Sequence, residues 1–260
     1  MRSPTIPSRL ARPFVLAAAG LALTLSTPAA EAFSDPVTPP VFSDPLASTN
    51  PYAPFVEGAY KVYVGKDEGE RIVFIDVHTD ITRTFMLGGS PVETHLMLEV
   101  EFVDGELEEI SANYFAEADD GTVYYFGETV DIYEDGEIVD HDGSWLVGGP
   151  TEPGDPVDTA TATEPAVFFP GDPDIGDQWK PEDLFPVVDE TVTLQAEGLS
   201  VSVPAGDYTG VVKVRETSDI DPDYKEKKWY APGVGVIKVK ADSEKLHLYA
   251  SSLLGEDEDE

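Results

Sequence analysis

The chain of 260 residues contains no cysteine. That absence excludes disulfide bonds, thiolate zinc sites and cysteine nucleophiles. Basic residues are also scarce, because 16 lysines and arginines stand against 51 aspartates and glutamates, for a formal net charge of −35. A charge of this sign repels nucleic acid and anionic lipid, so neither is an expected partner. The negative charge attracts cations or basic partners. Adaptation of the surface to a salty medium is the simpler explanation of so many acidic residues.

Long apolar runs are absent after the first thirty residues. Three arginines precede an apolar run over residues 14–25, and Ala30-Glu31-Ala32 then offers small residues for cleavage. This pattern is typical of a secretory signal peptide, which we predict over residues 1–32. We therefore expect a secreted or periplasmic bacterial protein, a component of the cell envelope or exterior. A retained N-terminal anchor is the alternative, but the mature chain should hold no transmembrane segment.

Loss of the predicted signal peptide makes the chain still more acidic. Residues 33–260 carry 13 basic and 50 acidic side chains, a net charge of −37. A cluster of Lys225, Lys227 and Lys228 is the main concentration of positive charge. We expect it to pair internally with carboxylates, with docking of an anionic polymer as the alternative.

Three segments of biased composition divide the mature chain. Residues 33–51 are rich in proline and predict a flexible leader. Residues 52–250 carry the β-rich runs and predict one domain, in which residues 148–165 form a long loop. Residues 251–260 end in GEDEDE and predict an acidic, solvated tail.

Short β-rich runs separated by glycine-containing turns indicate the fold class. No window shows a sustained helical stripe longer than about ten residues. We predict a mainly β protein: a single antiparallel curved sheet or incomplete barrel with few helices.

Four Asp-Gly dipeptides lie between or beside these runs, and each predicts a hairpin with a two-residue type I′ turn. They are Asp104-Gly105, Asp120-Gly121, Asp135-Gly136 and Asp142-Gly143. At Asp120-Gly121 such a turn would pair Ala118 with Val123. A type I turn with a G1 bulge would instead exchange the faces of one strand, and both alternatives stay open.

Oxygen ligands for a metal are grouped in the segment PGDPDIGD. Asp172, Asp174 and Asp177 surround Gly176 and form a candidate calcium site, because Ca²⁺ prefers carboxylate oxygens. A tight turn without metal explains the same residues. The EF-hand pattern fails at the two other acidic turns. No cofactor other than calcium is expected.

Aromatic residues are the candidate ligand contacts. In TVYYFGE successive side chains point to opposite faces, so both faces of this strand carry apolar bulk that must be covered. A second layer or barrel closure would cover them, whereas an open groove would bind an apolar or sugar ligand. The candidate ligand-binding residues are Tyr124, Phe126, Trp145, Trp229 and Tyr230.

Catalytic patterns are missing. Ser144 lacks the nucleophile elbow, and the four histidines stand apart, without paired spacing. The many acids cannot single out a carboxylate pair for glycoside hydrolysis. We therefore predict no catalytic residue and an exported, non-catalytic binding or structural protein. The alternatives are a carrier of an apolar ligand and a carboxylate-dependent hydrolase.

Several segments together resemble an uncharacterised family of secreted bacterial β proteins. They include YFAEADDGTVYYFGE at 114–128, DGEIVDHDGSWLVGG at 135–149, VSVPAGDYTGVVKVRE at 201–216 and KKWYAPGVGVIK at 227–238. The VPAG and YAPGVG pieces also resemble lipoprotein-type half-barrels, which implies a curved sheet able to hold an acyl chain. The resemblance implies one domain and carries over no catalytic residue. The segment KPEDLFPVVDE after Trp179 departs from the family's pattern, because it is shorter and less basic.

Overall fold

The computed structural model describes residues 39–241 and 243–253, and every regular element in that range is a β-strand. The predicted signal peptide, the start of the leader and most of the acidic tail lie outside the described residues. The strands are β1 Tyr60–Asp67, β2 Glu70–Leu87, β3 Ser90–Val103, β4 Glu106–Glu117, β5 Val123–Glu134, β6 Glu137–Asp140, β7 Trp145–Val147, β8 Ala160–Ala162, β9 Ala166–Phe169, β10 Gln178–Leu184, β11 Val188–Val203, β12 Gly206–Thr217, β13 Lys225–Ala231, β14 Gly235–Lys240 and β15 Lys245–Ser251.

Hydrogen bonds join these strands into one sheet in the order β10-β11-β12-β13-β14-β15-β1-β2-β3-β4-β5-β7-β8. β6 and β9 pair with β5 beside this path, so three short strands cover one edge of β5 in turn. The ladders are antiparallel except that of β7 with β8. The sheet nearly closes into a barrel, which confirms the predicted mainly β fold with an incomplete barrel. The described range contains no helix that is long and apolar enough to cross a membrane.

The open seam of the barrel lies where β10 runs beside β9. No backbone ladder joins these two strands within the described residues. Side chains hold the seam instead: the Trp179 indole N–H donates to the carbonyl of Phe168 at 3.1 Å, and its ring packs 5.4 Å from the ring of Phe169. Aromatic packing therefore bridges the seam, where no backbone ladder does.

Two of the four Asp-Gly turns form as predicted. Asp104-Gly105 and Asp135-Gly136 have positive φ at both central positions and join strands that pair directly, β3 with β4 and β5 with β6. Asp142-Gly143 does not form a hairpin, because β6 and β7 both pair with β5. The Asp142-Gly143 turn instead carries the chain from β6 to β7 along the same edge of β5.

The Asp120-Gly121 turn adopts the bulged alternative. Gly121 N–H donates to the carbonyl of Ala118, and Ala118 N–H donates to that of Thr122, the pattern of a type I turn with a G1 bulge. Glu117 therefore pairs with Val123, and the two-residue turn that would pair Ala118 with Val123 is wrong. A second irregularity at Phe126 restores the register, so Tyr114 still lies opposite Gly127.

An aromatic cluster, centred on Phe126 and Trp145, fills one end of the barrel wall. Both side chains are at most 1% exposed and belong to a core built from β2 to β5, β7, β8, β9 and the start of β11. Phe42, from the predicted leader, packs edge-on against Tyr124 and Phe126 at 5.5 and 5.7 Å. The second half of that leader is thus a packed element, because its aromatic side chain covers core that would otherwise face water.

The long loop at 148–165 is tied to the same cluster. Asp155 accepts two hydrogen bonds of 2.8 Å from the buried guanidinium of Arg83, which lies over the rings of Phe85 and Tyr114. Asp155 also accepts the N–H groups of nearby loop residues. β8, within the loop, adds a parallel strand to β7. The predicted loop is therefore clamped to the barrel by a bidentate ion pair.

Candidate functional site

Acidic side chains line the inside of the barrel. In β3, Glu99 and Glu101 point inward, whereas Leu98 and Val100 alternate with them and face outward. The same inversion recurs around the sheet. The interior acids are Asp76, Glu99, Glu101, Glu109, Glu128, Glu182, Glu190, Glu216 and Glu226.

A cavity of about 140 Å³ lies among these acids, beneath residues 52–55. Its walls are largely aromatic, with carboxylates and two lysines set between the rings. The aromatic members are Tyr52, Phe55, Tyr63, Phe115, Tyr125, Phe168 and Tyr230, and the charged members are Lys61, Asp76, Glu99, Glu117, Glu128 and Lys228.

The roof of the cavity is a turn held by Asn50. The side-chain Oδ1 of Asn50 accepts the N–H groups of Tyr52 and Ala53. The side-chain Nδ2 of Asn50 donates to the carbonyls of Gly121 and Pro170. Glu117 fixes the preceding backbone by accepting the N–H groups of Thr49 and Asn50. Proline-rich sequence suits this role, since each proline removes a backbone donor that burial would otherwise leave unsatisfied.

Two histidines hold Phe55 at the rim. Its ring stacks on His78 at 4.5 Å and on His95 at 3.9 Å between centroids. Burial lowers the pKa of His78 to about 4, so the ring is neutral, and its Nδ1 accepts the N–H of Val56. His95 Nε2 lies 3.0 Å from the carbonyl of Leu46 and donates to it. Burial lowers the pKa of His95 as well. Both side chains therefore position the roof.

Two buried carboxylate oxygens in the cavity wall have no hydrogen-bond partner among the described residues. One is Asp76 Oδ1, whose other oxygen pairs with Lys61 Nζ at 2.9 Å. The other is Glu128 Oε1, on a side chain that is 1% exposed. A buried acceptor without a donor costs free energy, so both positions favour a ligand that brings N–H or O–H groups.

The acids behind the cavity form a coupled group across the seam. Burial raises the pKa of Glu128 to about 7, opposed by the neighbouring Tyr125 hydroxyl and Glu182 carboxyl. Burial and the charge of Glu128 raise the pKa of Glu182 well above its ordinary value. Neighbouring carboxyls this close share protons rather than ionise together.

Lys228 anchors the far side of this acid group. Its Nζ lies 2.7 Å from Glu216 and 3.3 Å from Glu226, and the two carboxylates raise its pKa although burial opposes this. Of the three clustered lysines predicted to pair internally, Lys228 does so. Lys225 and Lys227, in contrast, alternate with it and are exposed on the outer face.

Only one of the predicted ligand-binding aromatics, Tyr230, lines the cavity. Tyr124 and Phe126 pack against Phe42, and Trp145 lies edge-on to Tyr125 within the core. Trp229 lies on the outer face. The sequence showed where aromatics are concentrated, but barrel closure used most of them as core.

The predicted calcium ligands do not converge. Asp172, Asp174 and Asp177 are all exposed, and Asp177 accepts the backbone N–H of Asp174 at 2.9 Å as part of a turn. No group of three acidic or histidine side chains in the described range is placed to hold a metal ion. The turn interpretation of this segment fits the contacts.

Sequence reasoning missed the interior acids and both rim histidines. A signal was present in ETHLMLEVEFV, where acidic and apolar side chains alternate over the second half of the strand. In antiparallel sheets such alternation usually places the apolar side chains inside and the polar ones outside. Here the inner face carries the acids.

Comparison with known proteins does not assign the chain. No family model and no curated protein matches it. Among solved structures, the crystal structure of a "putative lipoprotein" from Parabacteroides distasonis matches with a TM-score of 0.38 and 13% identity, over 77% of this chain and 97% of that one. The resemblance to an uncharacterised secreted family therefore stays a prediction.

Proposed function

We propose that the chain is an exported, non-catalytic binding protein that holds a small molecule bearing an amine or guanidine group in its barrel cavity. Export rests on the N-terminal sequence, and binding rests on the cavity. The observation that carries the proposal is the pair of buried, unpartnered acceptors, Asp76 Oδ1 and Glu128 Oε1, in one aromatic-walled space.

The size of the cavity limits the ligand. At about 140 Å³ it is close to the roughly 150 Å³ that accommodates benzene in an engineered cavity. A compact group with a short apolar body therefore fits, and a long chain does not.

The charge of the wall favours a cation. Lys61 and Lys228 are each paired with carboxylates, and Glu117 is satisfied by the roof. Glu128, with a pKa raised to about 7, supplies the remaining charge, beside the ring of Tyr125. Carboxylate and aromatic faces together stabilise an ammonium or guanidinium group by hydrogen bonds and cation–π attraction.

The apolar-carrier alternative does not agree with this cavity. Carriers of drug-sized apolar ligands use pockets of roughly 300–1,000 Å³, whereas this space is about 140 Å³ and carries charged side chains. An acyl chain would bury those charges without pairing them, which is costly.

Calorimetric titration with primary amines, guanidines and their neutral alcohol analogues tests the proposal. We expect amines or guanidines to bind and the alcohols to fail, with Asp76→Asn or Glu128→Gln weakening binding by roughly 10- to 100-fold as a charge-assisted hydrogen bond is lost. Glu101→Gln is the matched control, since Glu101 is a buried interior acid that does not line the cavity. Absence of binding across the panel, or equal loss in the control, would contradict the proposal.

A carboxylate-dependent hydrolase is the second candidate, because Glu99 and Glu128 line the same cavity and both have raised pKa values. Hydrolysis of glycosides pairs a protonated acid with an ionised carboxylate. Turnover of a glycoside panel that disappears in both Glu99→Gln and Glu128→Gln would establish this candidate over a pure binding role.

A further inference from the structure

Within the described residues, cations that form no side-chain ion pair are gathered on one outer face. A continuous row of basic residues crosses six neighbouring strands, each residue directly opposite the next. In strand order the row, here called the basic row, is Arg215, Lys227, Lys240, Lys245, Lys66 and Arg71.

Like charges directly opposite one another destabilise a sheet. Five of the six are exposed and Arg215 is partly so, and none forms a side-chain ion pair within the described range. With neighbouring strands about 4.8 Å apart, the row extends over roughly 24 Å. Such an arrangement in a chain of net charge −35 is unfavourable by itself and favours an anionic partner.

An aromatic residue lies beside the row. Trp229 is opposite Lys213 on one side and Lys238 on the other, and both ammonium groups lie over its ring, at 5.9 and 4.8 Å from the centroid. Tyr249, on β15 of the same face, is 61% exposed. Tryptophan and tyrosine flanked by lysine are typical of positions at the level of lipid headgroups.

An apolar face continues from the row across β1 to β4. The outward positions alternate with the cavity-lining acids and pair with one another across the strands. Eleven of them are partly exposed aliphatic or aromatic side chains, namely Val62, Val64, Val73, Ile75, Val77, Leu98, Val100, Phe102, Leu107, Ile110 and Ala112. Leu98 and Ala112, at the edge of this face, also pack against the aromatic cluster.

We propose that this outer face, made of the basic row, Trp229 and the apolar positions of β1 to β4, docks on an anionic lipid surface. The row contacts the headgroups, while the apolar positions cover the adjoining acyl boundary. The chain's net charge, which alone disfavours anionic lipid, acts at a distance and is screened beyond roughly 8–10 Å. The local row dominates at contact.

Charge decides between a lipid surface and a second copy. Packing two copies through this face about a two-fold axis would bring like surface patches together, including both basic rows. An anionic bilayer supplies an apolar boundary and a layer of negative charge at once. The lipid surface therefore satisfies both halves of the face.

Vesicle co-sedimentation of residues 33–260 tests the inference. We expect binding to vesicles of equal phosphatidylglycerol and phosphatidylcholine, loss on phosphatidylcholine alone, and weakening with salt. Substituting Lys227→Gln, Lys240→Gln and Lys245→Gln together should weaken binding roughly 100-fold, at about fivefold per basic residue. Ile75→Gln with Val100→Gln should weaken binding while leaving its salt dependence unchanged.

A control with the same change in net charge separates the row from the overall charge. Thr163→Glu, Gln195→Glu and Ser200→Glu lie at exposed positions outside this face, and this triple variant should bind nearly as wild type. Equal loss in the control, or absence of binding to anionic vesicles at low salt, overturns the inference. Dimerisation through this face, or binding only to a soluble anionic polysaccharide, likewise overturns it.

Discussion

Phe126 and Glu128 are two residues apart on β5, and both are buried to 1% exposure or less, yet they belong to opposite environments. Phe126 packs in the aromatic cluster, where burial of apolar area stabilises the fold at any pH. Glu128 lies in the acid-lined interior, where burial raises its pKa to about 7. Burial therefore stabilises the aromatic cluster, whereas it costs stability in the acid-lined interior. Ionisable groups buried at such a cost suit a role in binding.

Truncating the aromatic cluster should have the largest effect. Phe126→Ala removes a fully buried ring and leaves a cavity, so we expect a loss of about 3–5 kcal/mol in unfolding free energy. Glu128→Gln, with similar volume and burial, should cost much less, because it removes a charge that burial disfavours. Denaturant titration measures the unfolding free energy of both variants. Equal losses would contradict the stated difference between the aromatic cluster and the acid-lined interior.

The Arg83 to Asp155 clamp is the paired exception beside the aromatic cluster. Asp155→Asn leaves the buried guanidinium without its carboxylate, and we expect a loss of about 3 kcal/mol. Glu152→Gln is the control, since that carboxylate is 3.8 Å away and 55% exposed, and should change stability by less than about 1 kcal/mol. Urea titration at neutral pH measures the unfolding free energy of both variants. An equal loss in Glu152→Gln would contradict a stabilising role for the ion pair of Arg83 with Asp155.

The interior acids predict a stability that falls as pH rises. Burial raises the pKa of Glu101 and of Glu190 to about 8, above the ordinary 4.5. The folded state therefore binds their protons more tightly, so the stabilisation is complete below pH 4.5 and is lost as pH rises to 8. We expect the free energy of unfolding to fall by several kcal/mol over this range.

Glu101→Gln should flatten that pH profile, which thermal unfolding in a buffer series will show. The ion pair of Asp155 works in the opposite direction, because its lowered pKa gives stability that is lost only as pH falls below its ordinary range. A profile that rises between pH 5 and 8 would contradict the protonated state of the interior acids.

The smallest effect is expected where the leader meets the aromatic cluster. Phe42 is only partly buried, so Phe42→Ala should cost about 1–2 kcal/mol. Limited proteolysis of residues 39–51 should quicken in parallel. Unchanged stability and cleavage would show that the leader packs without stabilising the barrel.

Sequence patterns predicted much of the fold and little of the site. Local turn chemistry was enough for Asp104-Gly105 and Asp135-Gly136, since two positive φ values define the hairpin. At Asp120-Gly121 the same dipeptide forms a bulged turn, with a second irregularity at Phe126, so the dipeptide alone does not determine the turn type. Which face of β3 turns inward also depends on closure of the whole barrel, so Glu99 could not be placed from alternation alone.

Calorimetry in buffers of different ionisation enthalpy tests the central claim most directly, since a cation bound beside Glu128 must lower the pKa of that carboxyl. At pH 7 the account predicts that an amine binds and releases a substantial fraction of a proton, and that Glu128→Gln abolishes the release. Binding with no proton release in wild type, or no binding at all, would contradict it.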